Sequence, residues 1–153
     1  MAMYFTTVRN TNQETIIHFE DVDATAGVID ISTLAASTQV RNSDTPLVNI
    51  VRFVTTGELG SSIIVSRNGK NVIACAPENA PFLDLTSMGI SDGINHDQNI
   101  TITSGAAKAV SGYITLRKIA GWSTKVEYAT YGAYEDESRV GASTTLSGSP
   151  DKA

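Results

Sequence analysis

The chain is short of the residues on which most site chemistry depends. It holds one cysteine, two histidines and one tryptophan in 153 residues. A lone cysteine excludes an intrachain disulfide, and with two distant histidines it supplies no zinc pattern. Cys75 falls inside a strand-like stretch and reads as a small buried hydrophobe. Basic residues are few: 11 Lys and Arg against 16 Asp and Glu, a formal charge of −5. That excludes the basic footprint of a sequence-independent nucleic-acid binder. No apolar run reaches membrane length, and MAMYFTTVRN does not place a basic segment before an apolar one. The expectation is therefore a protein made in the cytoplasm, with neither membrane nor nucleic acid as partner. Asn99-Ile100-Thr101 fits a glycosylation acceptor, which carries no weight without a secretion signal. Phosphate-cradling and nucleophile-elbow motifs are missing, and no solenoid period recurs.

What the chain does have is Thr, Ser, Val, Ile and Gly, without long Leu/Glu/Lys runs, which favours strands. The length suits one domain able to bury a core. Residues 61–76, SSIIVSRNGKNVIACA, are two β-branched runs around Asn68-Gly69. This is a hairpin signal, because a type I′ turn needs φ > 0 at both central residues. The expected register sets Arg67 opposite Lys70, Ser66 opposite Asn71, Val65 opposite Val72 and Ile64 opposite Ile73. Both faces of that hairpin are apolar, which predicts a place in a sheet covered on both sides.

Taken in order, residues 4–8 and 14–22 read as a hairpin, the second strand of half-exposed, edge type. Residues 28–31 form a short strand, residues 32–37 a helical turn capped by Ser32 or Thr33, and residues 41–46 a polar loop. Residues 47–55 (LVNIVRFVT) form a covered strand, expected beside residues 61–67 because consecutive strands are usually neighbours. Residues 82–85 are a short strand and residues 86–98 a polar, glycine-bearing loop. NITITS alternates, with Ile100 and Ile102 inward. Residues 109–119 form a long strand in which Gly112 marks a bulge or a close approach of another backbone. Residues 125–131 read as a strand, with a short helix capped by Thr124 and Glu127 as the alternative. From Glu135 the composition turns acidic and then Ser/Thr/Gly-rich, which predicts a flexible tail. The expected architecture is an all-β, antiparallel β-sandwich, jelly-roll-like or Greek key, over residues 1–134, with an arm at 135–153.

Candidate chemistry is thin. His18 reads as an ordinary strand imidazole. Asp92, His96 and Asp97 sit among oxygen-bearing side chains, yet the spacing misses a calcium loop, so a solvated turn is the expectation. No catalytic residue, cofactor or metal is assigned. Contact residues are another matter. Arg67 and Lys70 flank the hairpin tip and would converge on an acidic partner. Met88, Ile90 and Ile94 are apolar in a polar loop and would pack onto something. Trp122, Tyr131 and Tyr134, with Tyr113 and Tyr128, form an aromatic cluster suited to a sheet edge or a subunit contact; stacking on sugars is the alternative.

The succession GELGSSIIVSRNGKNVIACAPENAPFLDL, GISDG, NITITSG and GYITLRKIAG, across residues 45–121, resembles the small all-β structural proteins of tailed-bacteriophage virions. It is similar to virion proteins of marine cyanophages and to sandwich-type head decoration (cement) proteins. The resemblance implies a non-enzymatic virion component that joins an assembled capsid, often as a trimer, and binds the major capsid protein. Residues 1–8 and 135–153 would be its arms. A tail, neck or baseplate component, or a carbohydrate-binding β-sandwich, is the alternative.

Overall fold

The computed structural model describes residues 3–43, 45–86 and 96–124, with two short backbone segments further on. Its organising point is the turn at Asn68-Gly69, where φ is 50° and 74°. Only a type I′ geometry puts both central residues there, and Gly69 adopts it without steric cost. On either side run β6 (Ile63–Arg67) and β7 (Lys70–Cys75). The chain continues to pair with itself outward from this turn. β5 (Leu47–Gly57) pairs with β8 (Phe82–Asp84), β3 (Ala26–Ile29) with β9 (Ile100–Ser104), and β2 (Glu14–Asp21) with β10 (Val110–Ala120), every pair antiparallel. The result is one long hairpin wrapped into two sheets.

The sheet order is β2-β10-β5-β8, with β1 (Tyr4–Asn10) added outside β2, facing a four-stranded sheet β3-β9-β6-β7. This is the strand order of a jelly roll. We call the first sheet A and the second sheet B. Across one end, β4 (Gln39–Arg41) pairs with β11 (Trp122–Thr124). Two further segments, β12 (Val140–Ala142) and β13 (Leu146–Ser147), pair with each other. The remainder of the expected C-terminal arm lies outside the described residues.

The core lies between the sheets. Phe19 and Phe53 stack at 5.5 Å from sheet A, amid Ile17, Ile50, Ile114 and Leu116, against Ile63, Val65, Ile100 and Ile102 of sheet B. Gly112 is required beneath this stack. A Cβ there would lie 2.7 Å from Phe19 Cζ and against the Val54 carbonyl oxygen. That is the close backbone approach expected of it.

Several expectations are corrected. Residues 47–55 do not neighbour 61–67. β5 lies between β10 and β8, and residues 58–62 carry the chain across to sheet B. β5 and β10 are each eleven residues long, so their ladder pairs far more of β5 than the five-residue β6 could. The hairpin register slips by one beyond Ser66. Val65 faces Ile73, Ile64 faces Ala74 and Ile63 faces Cys75, because a bulge lies between Val65 and Ser66. Nor is the hairpin covered on both sides: β7 is an edge strand, and Ile64 and Ser66 are only half-buried. β2, expected at an edge, is interior because β1 and β10 flank it. The helical turn is a short 3-10 segment at Ile31–Thr33 capped by Asp30, whose carboxylate accepts from the Ser32 N–H. Arg41 ends β4 instead of opening a loop.

Candidate functional site

Of the contact residues expected from sequence, Met88, Ile90, Ile94, Tyr131 and Tyr134 lie outside the described residues, as does Asp92. Lys70 is exposed beside the hairpin turn. Arg67 is not. It is 1% exposed, because the alternation that buries Ile63 and Val65 carries it inward as well. Its Nη1 donates to the Val48 carbonyl at 2.7 Å, Nη2 to those of His96 and Gln98 at 2.7 Å, and Nε to Gln98 at 3.0 Å. The planar fork thus ties the end of β6 to the start of β5 and to residues 96–98. Arg67 is a latch inside the molecule, so no pair of cations converges at the hairpin tip.

Trp122 is half-buried and also serves the fold. Its indole N–H donates to the Leu47 carbonyl at 3.3 Å, and Lys118 Nζ lies 5.1 Å from its ring centroid. The ammonium donates to Asn10 Oδ1 and the Thr11 carbonyl at 2.8 Å and to Gln39 Oε1 at 2.6 Å. One cation therefore holds together the β1–β2 loop, β4 and the end of β10. Burial pulls its pKa from 10.5 to about 8, since removing water disfavours the charged form.

The two histidines stand in different surroundings. His96 is buried in the turn held by Arg67, whereas His18 faces outward from sheet A with its ring 4.9 Å from that of Tyr113. Among the described residues no three His, Cys, Asp or Glu side chains gather as a metal site would require. No helix among them is long and apolar enough to cross a membrane.

The feature that sequence reading missed is the outer face of sheet A. Register places Thr6, His18, Tyr113, Val54 and Phe82 in one row across all five strands. Tyr113 is 46% exposed and Phe82 62%, and Tyr4, one step along on β1, is 60% exposed. These are the exposed aromatic rings among the described residues, and all three share this face. Charge borders the row where Arg52 is opposite Asp84, and Arg117 opposite Glu14 stands one row further along the sheet. The Asp84 carboxyl is held below its usual pKa first by the Thr86 hydroxyl and N–H, then by Arg52. Strand alternation marks Tyr113 as outward, but only register reveals that residues 18, 54, 82 and 113 are neighbours.

A cleft of about 730 Å³ opens at one end of this sheet, lined by Tyr4, Val22, Val110 and the carboxylates of Glu20, Asp21, Asp23 and Glu58 among others. Asp21 is committed to its own turn, accepting from the Thr25 N–H at 2.9 Å and hydroxyl at 2.8 Å. Burial raises the pKa of its carboxyl, but these bonds outweigh that and hold it below the usual range.

No protein-family model matches the chain, and no curated protein matches it. Two solved structures are similar. One is the TT1209 protein of Thermus thermophilus, 10% identical with a TM-score of 0.38, covering 76% of this chain and 84% of that one. The other is an uncharacterized conserved protein with a double-stranded β-helix domain from Klebsiella pneumoniae. It is 9% identical with a TM-score of 0.41, covering 82% of this chain and 86% of that one.

Proposed function

We propose that this protein is a non-enzymatic assembly component that acts by surface contact, and in the first place a decoration protein of a tailed-phage head. The observation that carries the reading is the placing of Tyr4, Tyr113 and Phe82 on one outer sheet face. A flat sheet presenting rings with charged pairs beside them has the composition of a protein contact surface, where Tyr, Phe and Arg are enriched. The resemblance of residues 45–121 to virion proteins narrows the partner to the major capsid protein or another virion protein, with the chain as an oligomer. The test is to ask whether the chain co-sediments with purified virions, and whether the double variant Tyr113→Ala, Phe82→Ala still does so. Expected are wild-type chains on the particle and loss of the variant, with its melting unchanged. Virions without the chain, or a variant that binds equally, overturn the reading; labelling at the tail instead of the head moves the site of assembly.

One observation favours a second reading. The Tyr113–His18 ring pair lies among Thr6, Ser111 and Thr56, a setting in which a sugar could stack and hydrogen-bond. A glycan screen that binds wild type but not Tyr113→Ala would select it over the first.

A further inference from the structure

We propose that two copies of the chain join edge to edge through β1, about a two-fold axis at Thr6, so that their A sheets become one. β1 pairs only with β2 among the described strands, and no described backbone group bonds the N–H and C=O groups on its other side. A free edge of this kind is normally blunted by brevity or by charge. The other edges follow that rule: β8 is three residues long, β3 is four residues long, and β7 opens on Lys70. β1 is the longest of these edges, seven residues with no charge from Tyr4 to Val8, and its bulge and Arg9 come only at its far end.

The strand is also complementary to itself. In an antiparallel pair, residues directly opposite share a face, so a two-fold normal to the sheet sets each residue against one equally far from the axis on the other side. With the axis at Thr6, Tyr4 faces Val8 of the second copy, and Val8 faces Tyr4 of the second copy. These residues are 60% and 56% exposed in the single chain. A bulge between Thr7 and Arg9 leaves Val8 with no partner in the β2 ladder. An aromatic ring against a β-branched side chain is among the favourable cross-strand pairs. The second copy thus covers both of the apolar side chains that the strand leaves in water.

The pairing has a functional consequence. Thr6 begins the row that ends at Phe82, so the two-fold aligns both rows into one platform. At about 4.8 Å per strand it would run on the order of 40 Å from one Phe82 to the other. A partner with repeated sites would then be gripped twice. The edge pairing stands on β1 alone, whatever the outer face binds.

Native mass and site-directed cross-linking of the full chain test it. Wild type should have twice the monomer mass, and Val8→Lys should halve that mass with an unchanged circular dichroism spectrum. On a Cys75→Ser background, Thr6→Cys should form a disulfide-linked dimer on mild oxidation, whereas Thr56→Cys on the distant β5 should not. A wild-type monomer or trimer overturns the proposal. So does a dimer that survives Val8→Lys, which must use another surface, and so does Thr6→Cys cross-linking no better than Thr56→Cys. Failure of the outer-face variants to lose virion binding would overturn the functional reading and leave this pairing intact.

Discussion

The two sheets are alike inside and unlike outside. Their inner faces are both Ile, Val, Leu and Phe, closed against each other. Outside, sheet B shows Val28, Thr101, Ser66 and Asn71 in one row and Ala26, Thr103, Ile64 and Ala74 in the next. Sheet A shows Tyr4, Tyr113 and Phe82, with His18 leaning on Tyr113. Since the strands of sheet B carry no aromatic residue, the rings outside sheet A are not something the architecture demands. Exposed aromatics that the fold does not require point to contact with another molecule.

That comparison can be broken from the inside outward. The largest effect should come from the shared core. Phe53→Ala empties the ring stack on which both sheets rest and should cost about 3–5 kcal/mol, read by urea denaturation. Next is the tie between the sheets. Arg67→Met leaves the buried Val48 carbonyl without its donor and removes the guanidinium from the carbonyls of Gln98 and of His96, which keeps only the Val48 N–H, an expected loss of roughly 3 kcal/mol. Arg67→Lys should recover little, because an ammonium cannot reproduce the planar fork.

A smaller effect belongs to the end of the sandwich. Lys118 titrates at about 8 in the fold against its ordinary 10.5. Below about 8 both folded and unfolded chains hold the proton, and the fold bears the whole penalty of burying it. Between about 8 and 10.5 the unfolded chain binds more protons, so stability rises with pH and then levels. Wild type should gain on Lys118→Met across that window in paired denaturation curves. Trp122 is the single tryptophan, so its emission should titrate with a midpoint near 8 in wild type alone. The smallest stability effect sharpens the comparison most. Tyr113→Ala with Phe82→Ala, and Thr101→Ala with Thr103→Ala, should each lie within about 0.5 kcal/mol per site of wild type. Only the first pair should lose partner binding.

Much of the local structure was legible because strand signals are local. Asn68-Gly69 marked the turn, NITITS the alternation of β9, and Gly112 the close backbone contact. Arg67 was misplaced: period two from Ile63 and Val65 points it inward, but its charge led to the expectation of an exposed cation at the tip. The pairing of β5 with β10 rather than β6 was not legible, since both candidates are β-branched and apolar. Nor was the bulge beside Ser66, which a run of equivalent apolar residues leaves unspecified. The candidate face was hidden for the same reason, as its row draws on residues 18, 54, 82 and 113.

An all-β chain folded about Asn68-Gly69 follows from local residue patterns alone, because turn chemistry and side-chain alternation act between neighbours. Which strands share a sheet, what Arg67 ties together inside the molecule, and the gathering of the exposed rings on one face came from the packed fold. Those outcomes depend on long-range ladders, where length and shape choose among partners of similar local character.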